Sequence, residues 1–346
     1  MPCKGAIVEL KLHVREAPYV GEELQIVSYF EFPASDFGPW EGILREDAIQ
    51  GRRGFAPKMR RILVLGARGM LGRDLTEVLH FSLPGDQVVE WDIEEMDIQK
   101  EDESVTKIEE LRPEIVIHIA AYTDVDGCEL SMDKAFSVNA EGTKHVALAA
   151  SKCRAKMVYL STDYVFDGGK REPYVESDAP HPLNVYGYSK LKGEQYVQTF
   201  VKDFLIVRTQ WLYGLFGKNF VSSILYQAVE KSALSIVDDQ TGSPTYTVDL
   251  SKAISTLIQS GARGIFHVAN SGLCTWYSLG QTILKLSGVN RVRVIPISSK
   301  DLGRPAARPS YSVLGCQKLK EETGLAMRPW SEALKDFLSN YRQHPS

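Results

Sequence analysis

The chain has 346 residues, 44% of them apolar, which allows one large α/β domain or two smaller ones around a buried core. Its 40 basic and 44 acidic side chains are mixed along the sequence and sum to -4. That balance excludes a basic face for nucleic acid or an anionic membrane, so an anionic ligand must be held by a few placed groups.

Taken from the start, residues 1–14 are interrupted by Lys4, Glu9 and Lys11 and lack the apolar core of a signal peptide. No later apolar run is long enough to cross a bilayer, so a cytoplasmic protein is expected. Val8, Leu10, Leu12 and Val14 alternate with Glu9, Lys11 and His13 as in a half-buried strand, and Tyr29, Phe30 and Phe32 follow, together suggesting a small hairpin. Gly51-Arg52-Arg53-Gly54 and Pro57-Lys58 read as a linker. Residues 1–58 are therefore expected to be an extension, either an appendage, a fusion remnant or the product of an upstream start.

From Arg61 the pattern changes. Residues 62–65, 88–91, 115–120, 157–160 and 205–207 read as buried strands, and 104–111 and 135–150 carry helical spacing between them. The repetition is βαβ, which predicts an α/β fold with a doubly wound parallel sheet. A dinucleotide-binding domain of the Rossmann type is expected over 59–214, and a smaller substrate lobe over 215–346 with some segments returning to the sheet. Cys3, Cys128, Cys153, Cys274 and Cys316 are far apart and never in C-x-x-C spacing, so reduced thiols are expected rather than disulfides or a zinc site.

Directly after the first strand comes Gly66-Ala67-Arg68-Gly69-Met70-Leu71-Gly72, a G-x-x-G-x-x-G loop opening a helix. Glycines let the backbone turn sharply and approach a pyrophosphate, and the helix N-terminus offers free N–H groups. Asp92, at the end of the second strand, is where a carboxylate meets an adenosine ribose. That carboxylate favours NADH, whereas Arg68 and Arg73 suit the 2′-phosphate of NADPH, and the sequence leaves both open. Asp97 either reaches the adenine side or caps the segment that follows it.

Tyr186 and Lys190 are four residues apart and leave one face of a helix, while Thr162 follows the strand 157–160 at its C-terminal end. A free phenol titrates near 10, and a neighbouring ammonium is expected to bring it toward neutrality so that Tyr186 protonates a developing alkoxide. Tyr188 lies two residues from Lys190 and falls on another helix face. Asn139 reads as a buried residue that fastens strands by hydrogen bonds rather than as a catalyst.

The runs Ser161-Thr162-Asp163-Tyr164-Val165-Phe166-Asp167-Gly168, Pro182-Leu183-Asn184-Val185-Tyr186-Gly187, Ser189-Lys190-Leu191-Lys192-Gly193-Glu194 and Arg208-Thr209-Gln210-Trp211-Leu212-Tyr213-Gly214 resemble the dTDP-4-dehydrorhamnose reductase family. Asp239-Gln240, Gly242-Ser243-Pro244-Thr245, Thr275-Trp276-Tyr277, Arg304-Pro305 and Arg308-Pro309 extend the resemblance to the C-terminus. It implies reduction of the C4 keto group of dTDP-4-dehydro-L-rhamnose, with Tyr186 as proton donor. By the same resemblance Gly69, Met70, Leu71, Asp92, Asp97, Ile98, Ala120, Ala121, Tyr122, Tyr186 and Lys190 contact NADPH or NADH, and Thr162, Asp163 and Trp211 contact the nucleotide-sugar substrate. Trp211 suits stacking on a ring, and Arg308 suits a bidentate pair with a diphosphate. Family members are also associated with Mg²⁺, although no compact carboxylate cluster here demands a metal, and a homodimer stays open.

Three other readings compete with this one. A 4,6-dehydratase of the same superfamily uses an Asp-Glu pair after the Thr, but Asp163 is followed by Tyr164. An epimerase needs only the Tyr and Lys, and Trp211 argues against it. A non-catalytic module similar to the regulatory subunit of methionine adenosyltransferase would bind the dinucleotide without turnover, and its counterpart of the Arg208 segment lacks the R-T-x-W-x-Y-G pattern retained here.

Overall fold

The computed structural model describes residues 59–343, and the hairpin and linker expected within 1–58 lie outside the described residues. Strands β1 (Arg61–Leu65), β2 (Gln87–Trp91), β3 (Ile115–His118), β4 (Lys156–Thr162) and β5 (Phe204–Thr209) join Gly264–His267 in one sheet. Its six strands run in the order Gly264–His267, β5, β4, β3, β1, β2, and every pair is parallel.

Both faces of this sheet are covered, which is why its strands read as continuous apolar runs. Ile62 and Val64 point to one side, where Leu71, Leu75 and Leu79 of helix Met70–Ser82 meet Leu250, Ile254 and Leu257 of helix Thr247–Gln259. Leu63 and Leu65 point to the other, against Ile108, Val146, Ala150 and Val197 of helices Glu101–Leu111, Thr143–Cys153 and Val185–Phe200. Each fully buried leucine or isoleucine contributes about 1.5–3 kcal/mol.

The chain leaves β1 for β2 on one side and returns to β3 on the other. The order therefore reverses between β1 and β3, and a crevice opens beyond their C-terminal ends. Strand character stops at His118 rather than continuing to Ala120, because the Ile119 and Ala120 N–H groups both turn to the Leu65 carbonyl. The helix expected over 135–150 is also interrupted. A π turn at Ser137–Gly142 separates Met132–Phe136 from Thr143–Cys153. Asn139, in that wide turn, accepts from the Tyr122 N–H (2.8 Å) and donates to the Tyr122 carbonyl and to Ser189 Oγ (both 3.0 Å). It ties the loop after β3 to the helix that carries Tyr186.

A second apolar core lies C-terminal to the main strands. Tyr213, Ile224, Leu234, Ile283 and Phe337 are packed there by helices Phe220–Glu230, Trp276–Leu286 and Trp330–Gln343, with Ala233–Val237 paired to Arg293–Ile297. Between them the chain returns to the first body through Thr247–Gln259 and Gly264–His267.

Helix Val185–Phe200 is pinned to the sheet by a buried ion pair. The Glu194 carboxylate, fully enclosed, receives Arg208 Nε (2.8 Å) and Nη2 (2.7 Å) from β5, and Ser161 Oγ (2.5 Å) from β4. Glu194→Ala should cost about 3–5 kcal/mol, because Arg208 would keep its charge in the interior without a partner. Urea unfolding measures this, and a shift below about 1 kcal/mol would show that the pair is dispensable.

The four described cysteines, Cys128, Cys153, Cys274 and Cys316, are free thiols. Among the described residues no helix is long and apolar enough to cross a membrane, and no group of three or more His, Cys, Asp or Glu could hold a metal ion.

Candidate active site

The glycine loop sits in the crevice for steric reasons that can be stated atom by atom. Gly66 has φ +92°, and a Cβ there would lie 2.8 Å from the Ala120 nitrogen. A Cβ on Gly72 would lie 2.3 Å from the Gly66 carbonyl oxygen. Only glycine lets the loop close on the segment after β3. Gly69 caps helix Met70–Ser82 without a side-chain acceptor, and the first turn holds no acidic residue. Its free N–H groups thus suit an anion.

Gly66, Gly69, Met70, Leu71, Gly72, Asp92, Asp97, Ile98, Ala120, Ala121 and Tyr122 line one cavity of about 510 Å³. Asp92 is oriented by its neighbours: Oδ2 accepts from the Arg68 N–H (3.0 Å) and Oδ1 from the Ile93 N–H (2.9 Å), leaving lone pairs for a hydroxyl donor. Asp97 caps its own segment, accepting from the Gln99 N–H (3.0 Å), and also lines the cavity. A bare glycine bend, an uncapped helix N-terminus and a placed carboxylate fit a dinucleotide. Gly72→Ala should weaken dinucleotide binding about tenfold or more and cost about 1–3 kcal/mol, since the obstructing groups, the Gly66 and Ala67 carbonyl oxygens, are backbone. Nucleotide titration and a thermal melt check this; an alanine variant that binds normally would contradict it.

A second cavity of about 340 Å³ continues from the first, sharing Met70, Ile119, Ala121, Thr123, Leu160 and Leu212. Thr162, Asp163, Tyr164, Tyr186, Lys190, Gln210, Trp211, Lys218 and Trp276 line it. Tyr186 stands in the first turn of Val185–Phe200. Asn184 caps that turn, accepting from the Gly187 N–H (2.8 Å) and donating to the Ala307 carbonyl (2.7 Å). Gly187 lets the helix sit directly on the turn Asp163–Val165, since a Cβ would come within 2.2 Å of the Tyr164 carbonyl oxygen. The Tyr164 ring then meets Tyr186 edge-on, with centroids 5.6 Å apart. Thr162 lines the same wall, its hydroxyl donating to Asp163 Oδ1 (3.1 Å) and accepting the Tyr164 N–H (3.2 Å). Lys190 is buried, with Nζ 4.1 Å from the centre of the Tyr159 ring. Tyr188 points away and is 49% exposed, in keeping with its place on another helix face.

Burial governs the charges here. It pulls the Lys190 ammonium down to about 7, against the opposing pull of Glu194. It pushes the Tyr186 phenol up, with the Thr162 hydroxyl acting the other way. The expectation that Lys190 brings the phenol toward neutrality is thus corrected: desolvation is the largest influence on both groups, and it pushes the phenol up. Burial also raises Asp163 to about 7, partly offset by hydrogen bonds from Ser312 and Thr162.

Trp211 has φ +49°, unusual for a bulky side chain and held by its surroundings. Its ring stacks on Trp276 at 3.6 Å and 9°. A Cβ on Gly242 would lie 2.4 Å from Trp211 Cε2, which accounts for glycine in the Gly242-Ser243-Pro244 run. Arg308 requires a second correction. Its guanidinium is spent on Asp126, with Nη1 at 2.7 Å and Nη2 at 2.9 Å, and it lines neither cavity. Nη1 also donates to the Ala306 carbonyl (2.7 Å), so the guanidinium stands behind the wall rather than in it. Lys218, beside Lys190, is a cation that lines the cavity instead. Sequence reasoning missed Trp276 and Glu194 as site builders. The signal for Glu194 was available, since it continues the Tyr186, Lys190 spacing by one more turn and an arginine stands in an otherwise apolar strand.

A parallel sheet with a glycine-lined crevice at its reversal point, and a Tyr–Lys pair one helical turn apart beyond it, defines a Rossmann-type nicotinamide-dependent oxidoreductase. Residues 59–343 match the family described as RmlD substrate binding domain, and the chain belongs to that family. The spore coat polysaccharide biosynthesis protein SpsK of Bacillus subtilis is 39% identical over 280 residues, covering 81% of this chain and 97% of that protein. The dTDP-4-dehydrorhamnose reductase of Aggregatibacter actinomycetemcomitans is 36% identical over 293 residues, covering 81% and 98%. The solved structure of dTDP-4-dehydrorhamnose reductase from Bacillus anthracis in complex with NADP is similar with a TM-score of 0.79 and 39% identity, over 82% of this chain and 99% of that one.

Proposed function

We propose that this chain is a dTDP-4-dehydrorhamnose reductase, reducing the C4 keto group of dTDP-4-dehydro-L-rhamnose to dTDP-L-rhamnose with Tyr186 as proton donor. The observation that carries this reading is the common wall of Thr162, Tyr186 and Lys190 on a cavity continuous with the glycine crevice. Relatives named as reductases of this substrate support it over a regulatory module. Where a dehydratase would need a second carboxylate after Asp163, Tyr164 packs on Tyr186.

NADPH or NADH, when bound along the glycine loop, supplies the hydride that reduces the carbonyl carbon. Met70 and Leu71 would present their N–H groups to its diphosphate beside Gly69, whose own N–H closes the bend on the Gly66 carbonyl (3.1 Å); Asp92 would accept from its ribose, and Asp97, Ile98, Ala120, Ala121 and Tyr122 would wall its bases and sugars. Thr162 orients the substrate carbonyl oxygen. As the π pair moves onto that oxygen, Tyr186 gives up its hydroxyl proton to it and the product hydroxyl is complete. A phenol raised by burial stays protonated at neutral pH, and an alkoxide is basic enough to take its proton. Lys190 holds a ribose and carries the positive charge that stabilises the phenolate left behind. Trp211 and Trp276 give the sugar and base a flat apolar surface, and Lys218 faces the substrate's diphosphate.

The protein is taken to work in the cytoplasm as a homodimer, and light scattering on the purified chain tests the latter. Mg²⁺ enters by family resemblance alone, and turnover in EDTA tests it. The deciding assay follows the absorbance of NADH or NADPH with dTDP-4-dehydro-L-rhamnose. Consumption with formation of dTDP-L-rhamnose is expected; nucleotide binding without turnover would leave the regulatory reading in its place.

A further inference from the structure

The rim of the crevice at the end of β2 carries more negative charge than a ribose carboxylate alone explains. Arg68, in the glycine loop, sends Nη1 to Glu94 (2.5 Å) and Nη2 to Glu95. Glu95 is itself fixed, because its other oxygen accepts the Asp92 N–H at 2.8 Å and closes the turn after β2. Asp92 receives the Arg68 backbone N–H on its own carboxylate. One guanidinium is thus shared between two carboxylates, with a third, Asp92, bonded by the backbone N–H of the same arginine.

We infer that Glu94 and Glu95 make this chain select NADH over NADPH, by occupying the Arg68 guanidinium that a 2′-phosphate would need. The inference rests on the dinucleotide reading above and sharpens it. A 2′-phosphate at this position of a βαβ fold is accommodated by a nearby arginine, while a carboxylate serves a free 2′-hydroxyl. Here the arginine meets a phosphate only by leaving both glutamates, and the phosphate then faces Asp92, Glu94 and Glu95 with their charge uncovered. Glu95 cannot turn aside without releasing the Asp92 N–H. Arg73 offers no substitute: its guanidinium lies 5.0 Å from the centre of the Phe216 ring and its Nε points back to the Arg68 carbonyl. The cation in the cavity wall, Lys134, comes from the segment after β3 and lies 4.4 Å from the centre of the Tyr122 ring. NADH asks for none of these rearrangements, since its 2′-hydroxyl donates to an Asp92 already held in place.

Titration of the full-length protein with NADH and with NADPH, read by nucleotide fluorescence, tests this apart from turnover. NADH should bind about tenfold or more tighter at low ionic strength, the gap narrowing as salt screens these exposed charges. Glu94→Gln/Glu95→Gln keeps the acceptor for the Asp92 N–H and frees the guanidinium; it should tighten NADPH about tenfold and leave NADH within about twofold. Adding Arg68→Ala should abolish that gain. Glu94→Gln alone, which touches no backbone group, should give part of the same shift. Equal affinities in the unaltered protein, or an unchanged NADPH-to-NADH ratio in the double variant, would overturn the proposal. Binding of neither nucleotide would instead overturn the dinucleotide reading, and this inference with it.

Discussion

Tyr186→Phe is expected to lower kcat by roughly 10²-fold or more while leaving dinucleotide affinity within about twofold. The substitution keeps the ring that meets Tyr164 edge-on and removes only the hydroxyl. Neighbouring groups replace its proton poorly. Tyr164 is pushed up by burial and is turned toward Arg308. Asp163, raised to about 7 by burial, is the neighbouring carboxyl whose proton becomes available near neutrality. Residual turnover of the Phe variant should therefore fall as pH rises through about 7, because the protonated carboxyl is the form that donates. Asp163→Asn in the same background should remove that dependence. A Phe variant with near-normal kcat would mean that the proton comes from elsewhere and that Tyr186 only shapes the cavity.

Much of this arrangement could be read in the sequence because it is carried by short spacings. The glycine loop, Asp92 and the Tyr186–Lys190 pair each depend on neighbours within one turn or one βα unit, and local geometry fixes which way they face. Contacts between distant segments were less legible. Arg308 looked available for a diphosphate because nothing near it in the chain announces Asp126, which meets it across the fold. Trp211 was singled out as a ring to stack on, yet its partner Trp276 and the glycine that admits it lie in other segments. The π turn at Ser137–Gly142 was hidden because its apolar positions still fit a helical period. A Cβ on Gly142 would lie 2.9 Å from Ile98 Cγ1, a constraint visible only once the two segments are packed. The ionisation of Lys190 and Tyr186 belongs to the same class, since burial is a property of the whole fold.

Lys190 gives the second large effect, and it has opposite signs for stability and for turnover. The folded protein holds this lysine at about 7, whereas the unfolded chain has it at its ordinary value of 10.5. Between those values the unfolded state binds more protons, so the lysine's contribution to stability rises with pH across that window. Below about 7 the folded state carries the whole cost of a buried ammonium, only partly returned by the Tyr159 ring. Lys190→Met, similar in length and without charge, should therefore be more stable than the parent by about 2–4 kcal/mol at pH 6. That advantage should shrink steadily toward pH 10 in urea unfolding followed across the range. Turnover should nevertheless fall by about 10²-fold, because no cation is left to stabilise the phenolate. The anionic diphosphate, bound nearby, favours the ammonium, so above pH 7 dinucleotide binding should draw up to one proton from solution. Calorimetry in buffers of different ionisation enthalpy reads this uptake, and the Met variant should show none. A Met variant no more stable at pH 6, together with binding that takes up no proton at pH 8, would mean that Lys190 keeps its ordinary charge in the fold. The pH dependence assigned to burial would then have to be given up.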